Sequence, residues 1–250
     1  MQLKIRLFSL PACLLATAAT LSAGTFPVVH SPSAETRITW AASELSTMLQ
    51  EICPEDRFPI TTEVPRDGDY ILLTDDAASL LVREEIKSAH RDEPGEFVVS
   101  RIDSENRQIG IIAGHDARAV LDGVYSLLEQ NLGYGFYLYR NASEAADTEP
   151  FAFRNWDLQD KPLVQERVLF NWYNFISGVS TWNLRDYKHW IRQAARMRHT
   201  DVMLHAYGWA PFTEFTHNGV TKPVEYLQTT PPSPRLPYGR ATAAAPASGD

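Results

Sequence analysis

The chain is poor in cysteine, with only Cys13 and Cys53 among 250 residues. Cys13 lies in a leader segment that we predict to be removed, which leaves Cys53 without an intrachain partner. The sequence therefore excludes a disulfide framework and a cysteine-based metal site. Stability has to come from packing, and 44% hydrophobic residues with 11% aromatic residues are enough for that.

The chain also lacks an excess of positive charge, because its formal net charge is -8. Nucleic-acid binding requires a concentrated basic face to neutralise phosphates, so we expect no nucleic-acid partner. The seven histidines form no HExxH motif, and the stretch from Gly178 to Trp182 lacks the closing glycine of a GxSxG motif. We predict no metal, no cofactor and no serine nucleophile.

Long hydrophobic runs are missing except at the N-terminus. Residues 1–23 carry Lys4 and Arg6, then an apolar run over residues 7–21 that ends in small residues. This pattern is typical of a secretory signal peptide, and the run is short for a membrane span of about 20 apolar residues. We expect a secreted or periplasmic protein with no membrane contact after cleavage; retention of the segment as an anchor is the alternative.

Residues 24–141 alternate between strand and helix patterns. Apolar residues at helical spacing predict helices over residues 33–52, 77–89 and 115–132. Residues 96–102 and 107–113 flank a polar turn and predict a β-hairpin. The fold class is therefore α/β, with an α+β sandwich domain that contains a mixed sheet.

The second half of the chain begins a different pattern. Residues 142–164 are predicted to be a linker, in which 151–153 form a short strand. Residues 165–212 contain an apolar run, an amphipathic helix over 184–198 and a second run over 202–209, which together predict a βαβ unit. Residues 213–250 drift into Ala, Pro and Ser and are predicted to be a disordered tail.

Three segments carry a family resemblance: Ala41-Ala-Ser-Glu-Leu45, residues 109–114 and residues 123–133. They resemble the non-catalytic N-terminal domain of bacterial α-glucuronidases and β-hexosaminidase-type glycoside hydrolases. The apolar run over residues 167–173 and the helix segment over 190–198 are similar to the start of the (β/α)8 barrel that follows this domain. The resemblance implies a hydrolase acting on carbohydrate.

The chain departs from that family in length. A (β/α)8 barrel needs about 250 residues, and only 86 residues follow residue 164. The catalytic carboxylates of the family lie on later barrel strands, so no position here inherits them. We expect an incomplete barrel; a truncated reading, a frame-shifted reading and a natural linker all explain the tail.

Candidate site residues follow the two predicted strands of the βαβ unit, at the edge where barrel enzymes bind substrate. Amide, imidazole and phenol groups bind sugar hydroxyls, and aromatic faces cover a pyranose ring. The predicted substrate-binding residues are Asn171, Trp172, His205, Tyr207 and Trp209. Packing of Trp172 at the domain junction and a structural role for His205 are the alternatives.

Catalytic residues are not predicted anywhere in the chain. Glycoside hydrolysis ordinarily needs two carboxyl groups at a defined separation, and residues 168–175 and 202–209 contain no Asp or Glu. Asp186 and Asp201 are expected to start a helix and a strand. Glu214 and Glu225 lie in the predicted tail, where nothing rigid would fix their separation.

Two functions from different classes remain at this point. The first is the N-terminal portion of an exported glycoside hydrolase, inactive by itself and bound to an oligosaccharide or polysaccharide. The second is an exported carbohydrate-binding or interaction module that recognises a glycan without cutting it.

Overall fold

Helices are interspersed among strands along the part of the chain that the structure describes. The computed structural model describes residues 23–75, 93–104, 106–138, 140–143, 150–171, 182–204 and 216–221. Residues 1–22 of the predicted signal peptide, the predicted helix over residues 77–89 and most of the predicted tail lie outside the described residues.

Three helices and twelve strands are present in the described part of the chain. The helices are α1 (Thr36–Ile52), α2 (Ala117–Gln130) and α3 (Leu184–Arg196). The strands are β1 (Val28–His30), β2 (Ile60–Thr61), β3 (Tyr70–Thr74), β4 (Phe97–Ser104), β5 (Arg107–Gly114), β6 (Tyr134–Phe136), β7 (Asn141–Ser143), β8 (Asp157–Asp160), β9 (Val168–Asn171), β10 (Asp201–Leu204), β11 (Thr216–His217) and β12 (Val220–Thr221).

A six-stranded mixed sheet in the order β2-β1-β3-β5-β4-β8 organises the first part of the chain. The first four strands in this order, β2, β1, β3 and β5, pair in parallel, whereas β4 pairs antiparallel with both β5 and β8. The antiparallel β4–β5 pair is the predicted hairpin, which confirms that expectation. The α/β fold class is confirmed as well.

Helices α1 and α2 cover one face of this sheet because each presents an apolar stripe. In α1 the stripe includes Ile38, Leu45 and Leu49, all at most 1% exposed. Helix α2 begins at Asp116, whose side chain accepts a hydrogen bond from the Ala119 amide at 2.8 Å. Both helices were predicted, and each is two or three residues shorter at its start than the pattern indicated.

The prediction of a linker is wrong for residues 150–160, which belong to the first domain. Residues 151–153 form no strand; instead Phe151, Phe153 and Trp156 are at most 7% exposed in the core beside α1 and α2. Strand β8 then pairs with β4 as the last strand of the sheet. The physical reason is burial: three large aromatic rings close together remove far more apolar surface from water in a core than at an exposed junction.

The predicted βαβ unit is present. Strands β9 and β10 pair in parallel with Phe170 opposite Met203, and α3 connects them. Asp186 lies in the first turn of α3 and Asp201 is the first residue of β10, as expected for a helix start and a strand start.

Part of the predicted disordered tail, residues 216–221, instead forms a small hairpin. Strands β11 and β12 pair antiparallel across Asn218 and Gly219, whose φ angles are 51° and 78°. Asn-Gly favours positive φ at both central turn positions, which suits the twist of a two-residue hairpin. The Asn-Gly pair was the sequence signal for this turn.

Within the ranges given above, no helix combines the length and apolar character that crossing a bilayer requires.

The close approach of Gly110 to Phe153 and Trp156 generates a prediction. A Cβ at Gly110 would lie 2.4 Å from ring atoms of both aromatic residues. We expect Gly110→Ala to lower the free energy of unfolding by about 1–3 kcal/mol, measured by urea denaturation.

Gly123→Ala is the matched control for Gly110→Ala. At Gly123 the nearest side-chain atoms are 3.0 and 3.1 Å away, and alanine adds roughly 1 kcal/mol of helix propensity there. Its effect should be clearly smaller; equal destabilisation by the two variants would show that Gly110 is not chosen by the aromatic cluster.

Candidate functional site

Of the predicted substrate-binding residues, the structure describes Asn171, at the carboxyl end of the β9–β10 pair. Asn171 is the last residue of β9 and pairs in register with Leu204, the last residue of β10. Trp172 follows Asn171 directly, and His205 follows Leu204. Trp172, His205, Tyr207 and Trp209 lie outside the described residues, so the structure places only the backbone of Asn171.

Helix α3 starts at this same edge because it runs back along the strands that it connects. Its N-cap is Asn183, whose side-chain oxygen accepts hydrogen bonds from the Arg185 and Asp186 amides at 2.8 and 3.2 Å. The Asp186 carboxylate accepts from the Asn183 amide at 3.0 Å, which completes a capping box. Asp186 therefore stabilises the first turn of the helix.

An aromatic contact fixes the chain as it enters α3. Trp182 precedes the N-cap and contacts Tyr187 with ring centroids 5.5 Å apart. This spacing is that of a hydrophobic staple, which sets the entry angle of a helix. Trp182 also lies 5.9 Å from the ring of Trp190, one turn further along the helix.

A cavity of about 320 Å³ opens beside this staple. We call it the rim pocket; it is lined by Leu138, Trp182, Arg185, Asp186, His189 and Trp190. Trp190 is buried, with only 3% of its surface exposed. Trp182 is half-buried and Arg185 is exposed. The volume lies at the lower end of the range of small-ligand pockets.

The rim pocket combines aromatic rings with charged and imidazole groups. Such a combination suits a hydroxylated ring, because tryptophan covers the apolar face of a sugar while Arg, Asp and His bond its hydroxyls. The sequence-based prediction concentrated on strand ends and missed this pocket. The signal that could have found it is Trp182-Asn-Leu-Arg-Asp186, an aromatic residue followed by a capping box.

Carboxylates are scarce in the rim pocket. Asp186 is the single carboxylate among its described lining residues, and its oxygen is engaged in the capping box. Glu214 and Glu225 lie outside the described residues. Over the described ranges there is also no group of three or more His, Cys, Asp or Glu side chains arranged to hold a metal ion.

A buried ion pair holds α3 against the first helix. Arg196 donates to both oxygens of Glu44, with distances of 2.6 and 3.1 Å, and the two side chains are 13% and 9% exposed. Tyr125 donates to the same carboxylate at 3.2 Å, and Trp40 donates to the Tyr125 hydroxyl at 3.3 Å. Burial opposes the charge of Arg196, but its hydrogen bonds to Glu44 and the negative charge of that carboxylate, with smaller effects of Tyr125 and Tyr134, together outweigh burial and raise its pKa.

Hydrogen bonds from Gln193 also hold α3 against the first part of the chain. The Gln193 side chain, which is fully buried, donates to the Tyr137 carbonyl at 2.5 Å and to the Asn141 side chain at 3.1 Å. Tyr137 and Asn141 flank Leu138, the residue that the first part of the chain contributes to the rim pocket. The packing of α3 therefore determines the shape of the pocket.

A second ion pair holds the start of β9. Arg167 donates to the Asp122 carboxylate of α2 at 2.7 Å, to the Arg198 carbonyl at 2.6 Å and to the Val164 carbonyl at 3.0 Å. Asp122 is 5% exposed. Burial raises the pKa of Asp122 to about 6, against the opposing effects of Arg167, Arg118 and Arg198.

The sequence matches no protein-family model and no curated protein. Among solved structures, the chain is similar to CpGH84D, with 13% identity and a TM-score of 0.46, over 73% of this chain and 27% of that one. It is similar to BtGH115A, a GH115 4-O-methyl-α-glucuronidase with specificity for decorated arabinogalactans, with 14% identity and a TM-score of 0.45, over 73% and 25%. A GH138 enzyme targeting pectin rhamnogalacturonan II gives 16% identity and a TM-score of 0.41, over 73% and 19%.

These three neighbours are glycoside hydrolases, the class of enzyme that the sequence resemblance indicated. The chain spans no more than 27% of the length of any of them. Identities of this size identify no family for the chain.

The raised pKa of Asp122 generates a pH-dependent prediction. Because the folded-state pKa of about 6 exceeds the ordinary value of 3.8, the folded chain binds this proton more tightly than the unfolded chain does. The stabilising contribution of Asp122 is therefore complete below about pH 4 and is lost as the pH rises through about 6. Asp122→Asn cannot ionise and removes this dependence.

The measurement is urea unfolding of the wild-type chain and Asp122→Asn at about pH 4 and about pH 7. We expect the free-energy difference, wild type minus variant, to be more favourable at the lower pH by on the order of 2 kcal/mol. Asp103→Asn, at a 58% exposed side chain, is the control. A difference that is the same at both pH values for Asp122→Asn would contradict the prediction.

Proposed function

We propose that this chain is the N-terminal portion of an exported glycoside hydrolase, resembling α-glucuronidases and β-hexosaminidase-type enzymes. In this proposal residues 24–160 form the accessory α/β domain, and β9, α3 and β10 open a (β/α)8 barrel. The signal-peptide pattern over residues 1–23 supports export.

The proposal rests on the exposed apolar face of the β9–β10 pair and on its edges, which are unpaired in the described part of the chain. Among the residues that the structure describes, neither outer edge of this parallel pair has a strand partner. Val168, Phe170 and Met203 lie on one face and are 43%, 46% and 53% exposed. Large apolar side chains on one face of a parallel pair are typical of a barrel interior, where layers of such residues fill the core.

The position of this unit relative to the first domain supports the same proposal. The ion pairs Glu44–Arg196 and Asp122–Arg167 join the βαβ unit to α1 and α2. The apolar face of β9 and β10 stays exposed although α3 is already packed. We therefore expect further strands, and not the first domain, to cover that face.

In the proposed enzyme this chain supplies sugar-binding groups at the carboxyl end of the first two strands. Asn171, Trp172, His205, Tyr207 and Trp209 are the proposed contacts, and the rim pocket is a further proposed binding surface. The acid and base carboxylates belong to strands beyond this unit, so the chain by itself binds carbohydrate without cutting it. A pair of carboxyl groups on the later strands would perform the hydrolysis.

A second candidate function is a carbohydrate-binding module without catalysis. The rim pocket favours it, because its aromatic and charged lining is assembled from described residues of this chain alone. The DNA that follows codon 250 separates the two functions. Further strand–helix units with Asp or Glu at strand ends are expected for the hydrolase; a stop codon without such units would favour the binding module.

Glycan binding at the rim pocket is a direct prediction for this chain. Arg185→Ala removes an exposed guanidinium from the pocket lining and should weaken binding of a uronic-acid-bearing oligosaccharide about tenfold, as expected for loss of a hydrogen bond between charged groups. Isothermal titration calorimetry measures the change.

Lys188→Ala is the matched control, because Lys188 is an exposed cation on the same helix that does not line the pocket. It should leave the affinity unchanged. Equal losses in both variants would indicate general charge attraction rather than a pocket. Turnover of aryl uronides or aryl N-acetylhexosaminides by the purified chain would contradict the statement that it lacks the catalytic pair.

A further inference from the structure

A second cavity, of about 390 Å³, lies in the first domain at the carboxyl ends of β1 and β3. The chain leaves β1 through α1 toward β2 on one side, whereas β3 and β5 continue the sheet on the other side. Adjacent parallel strands whose connections diverge form a topological switch point. Open α/β sheets bind ligands in the crevice at such points, outside the carboxyl ends of the strands.

One buried polar side chain points to a ligand at this switch point. His30 is the last residue of β1, is 9% exposed and lines the cavity. Its Nδ1 is 2.8 Å from the Ser31 carbonyl. In the described part of the chain, Nε2 has no hydrogen-bond partner, so this nitrogen is available to a molecule in the cavity.

Two hydroxyl groups add donors and acceptors to the same cavity. The hydroxyl groups of Ser33 and Thr62 also line the cavity. Together these groups offer donors and acceptors spread around the opening.

The charge of the lining selects the class of ligand. Glu35 and Asp75 are its carboxylates, and its described residues include no Lys or Arg. Carboxylates without a cation disfavour an anionic ligand. A metal ion is not indicated either, since the imidazole and carboxylates form no metal-binding group among the described residues. Val64 and Leu72 provide an apolar wall.

We propose that this switch-point cavity binds a neutral, hydroxyl-rich molecule of monosaccharide size. Sugar hydroxyls donate to Glu35 and Asp75 and accept from Ser33 and Thr62. His30 Nε2 bonds one further hydroxyl, and the apolar wall covers a ring face. The site is separate from the rim pocket and does not rest on the proposed hydrolase function.

The test is protein-observed NMR of the full ¹⁵N-labelled chain titrated with D-glucose, D-galactose and D-xylose, each compared with D-glucuronate or D-galacturonate. We expect at least one neutral sugar to shift the amide resonances of residues 30–35 and 72–75, and the uronates to bind about tenfold more weakly at these same residues, whatever shifts they cause at residues 182–190. Shifts confined to residues 182–190 would locate the sugar in the rim pocket instead and overturn the proposal.

Glu35→Lys and His30→Phe test whether these two side chains contact the bound sugar. Glu35 is exposed, so its substitution leaves the core intact, and Glu55→Lys is the matched control at an exposed position outside the cavity. Glu35→Lys should weaken binding of the neutral sugar about tenfold, and Glu55→Lys should not change it. Three outcomes would each overturn the proposal: no sugar binds at residues 30–35 and 72–75, neutral sugars and uronates bind there equally, or the two lysine variants lose equal affinity.

Discussion

The buried pair between Glu44 and Arg196 is the interaction on which the arrangement of the chain depends. It joins α1 to α3 across 152 residues of sequence, and both charges are nearly removed from water. Such a pair is strongly destabilised when one partner is lost, because the other charge remains buried. Tyr125 and Trp40 extend it into a hydrogen-bonded network. Because the bidentate geometry of arginine and carboxylate is directional, this network determines where α3 lies, and with it the rim pocket.

Both cavities follow from the polarity of parallel strands. The rim pocket lies at the start of α3, and α3 begins where β9 ends; the switch-point cavity lies where β1 and β3 end and α1 begins. At such an edge the chain turns away from the sheet into a helix, so a crevice remains above the strands. The two cavities differ in character: tryptophan and arginine line the first, whereas hydroxyl groups and carboxylates line the second. We therefore infer two recognition surfaces with different preferences for charge.

Sequence patterns predicted those elements whose stability is local. The apolar stripes of α1 and α2 and the β4–β5 hairpin were predictable because their spacing is read within a single element. Residues 151–160 were not, since nothing local distinguishes an aromatic linker from an aromatic core segment. Phe153 and Trp156 pack against Gly110, more than 40 residues away, and only that contact shows which they are. The Asn218-Gly219 turn was predictable from its residues and was obscured by the polar composition around it.

The candidate site divides in the same way. By itself, the sequence determined the α/β class and the order of a domain followed by a βαβ unit, because helical and strand periodicities are properties of neighbouring residues. It also determined which edge of β9 and β10 carries Asn171, since the direction of the chain sets the polarity of each strand. Only the tertiary structure decided that Trp182, Arg185 and His189 meet Leu138, and that His30 meets Glu35 and Asp75 at one crevice. These groups are brought together by a buried ion pair and by sheet order, and both depend on contacts between residues that are distant along the chain.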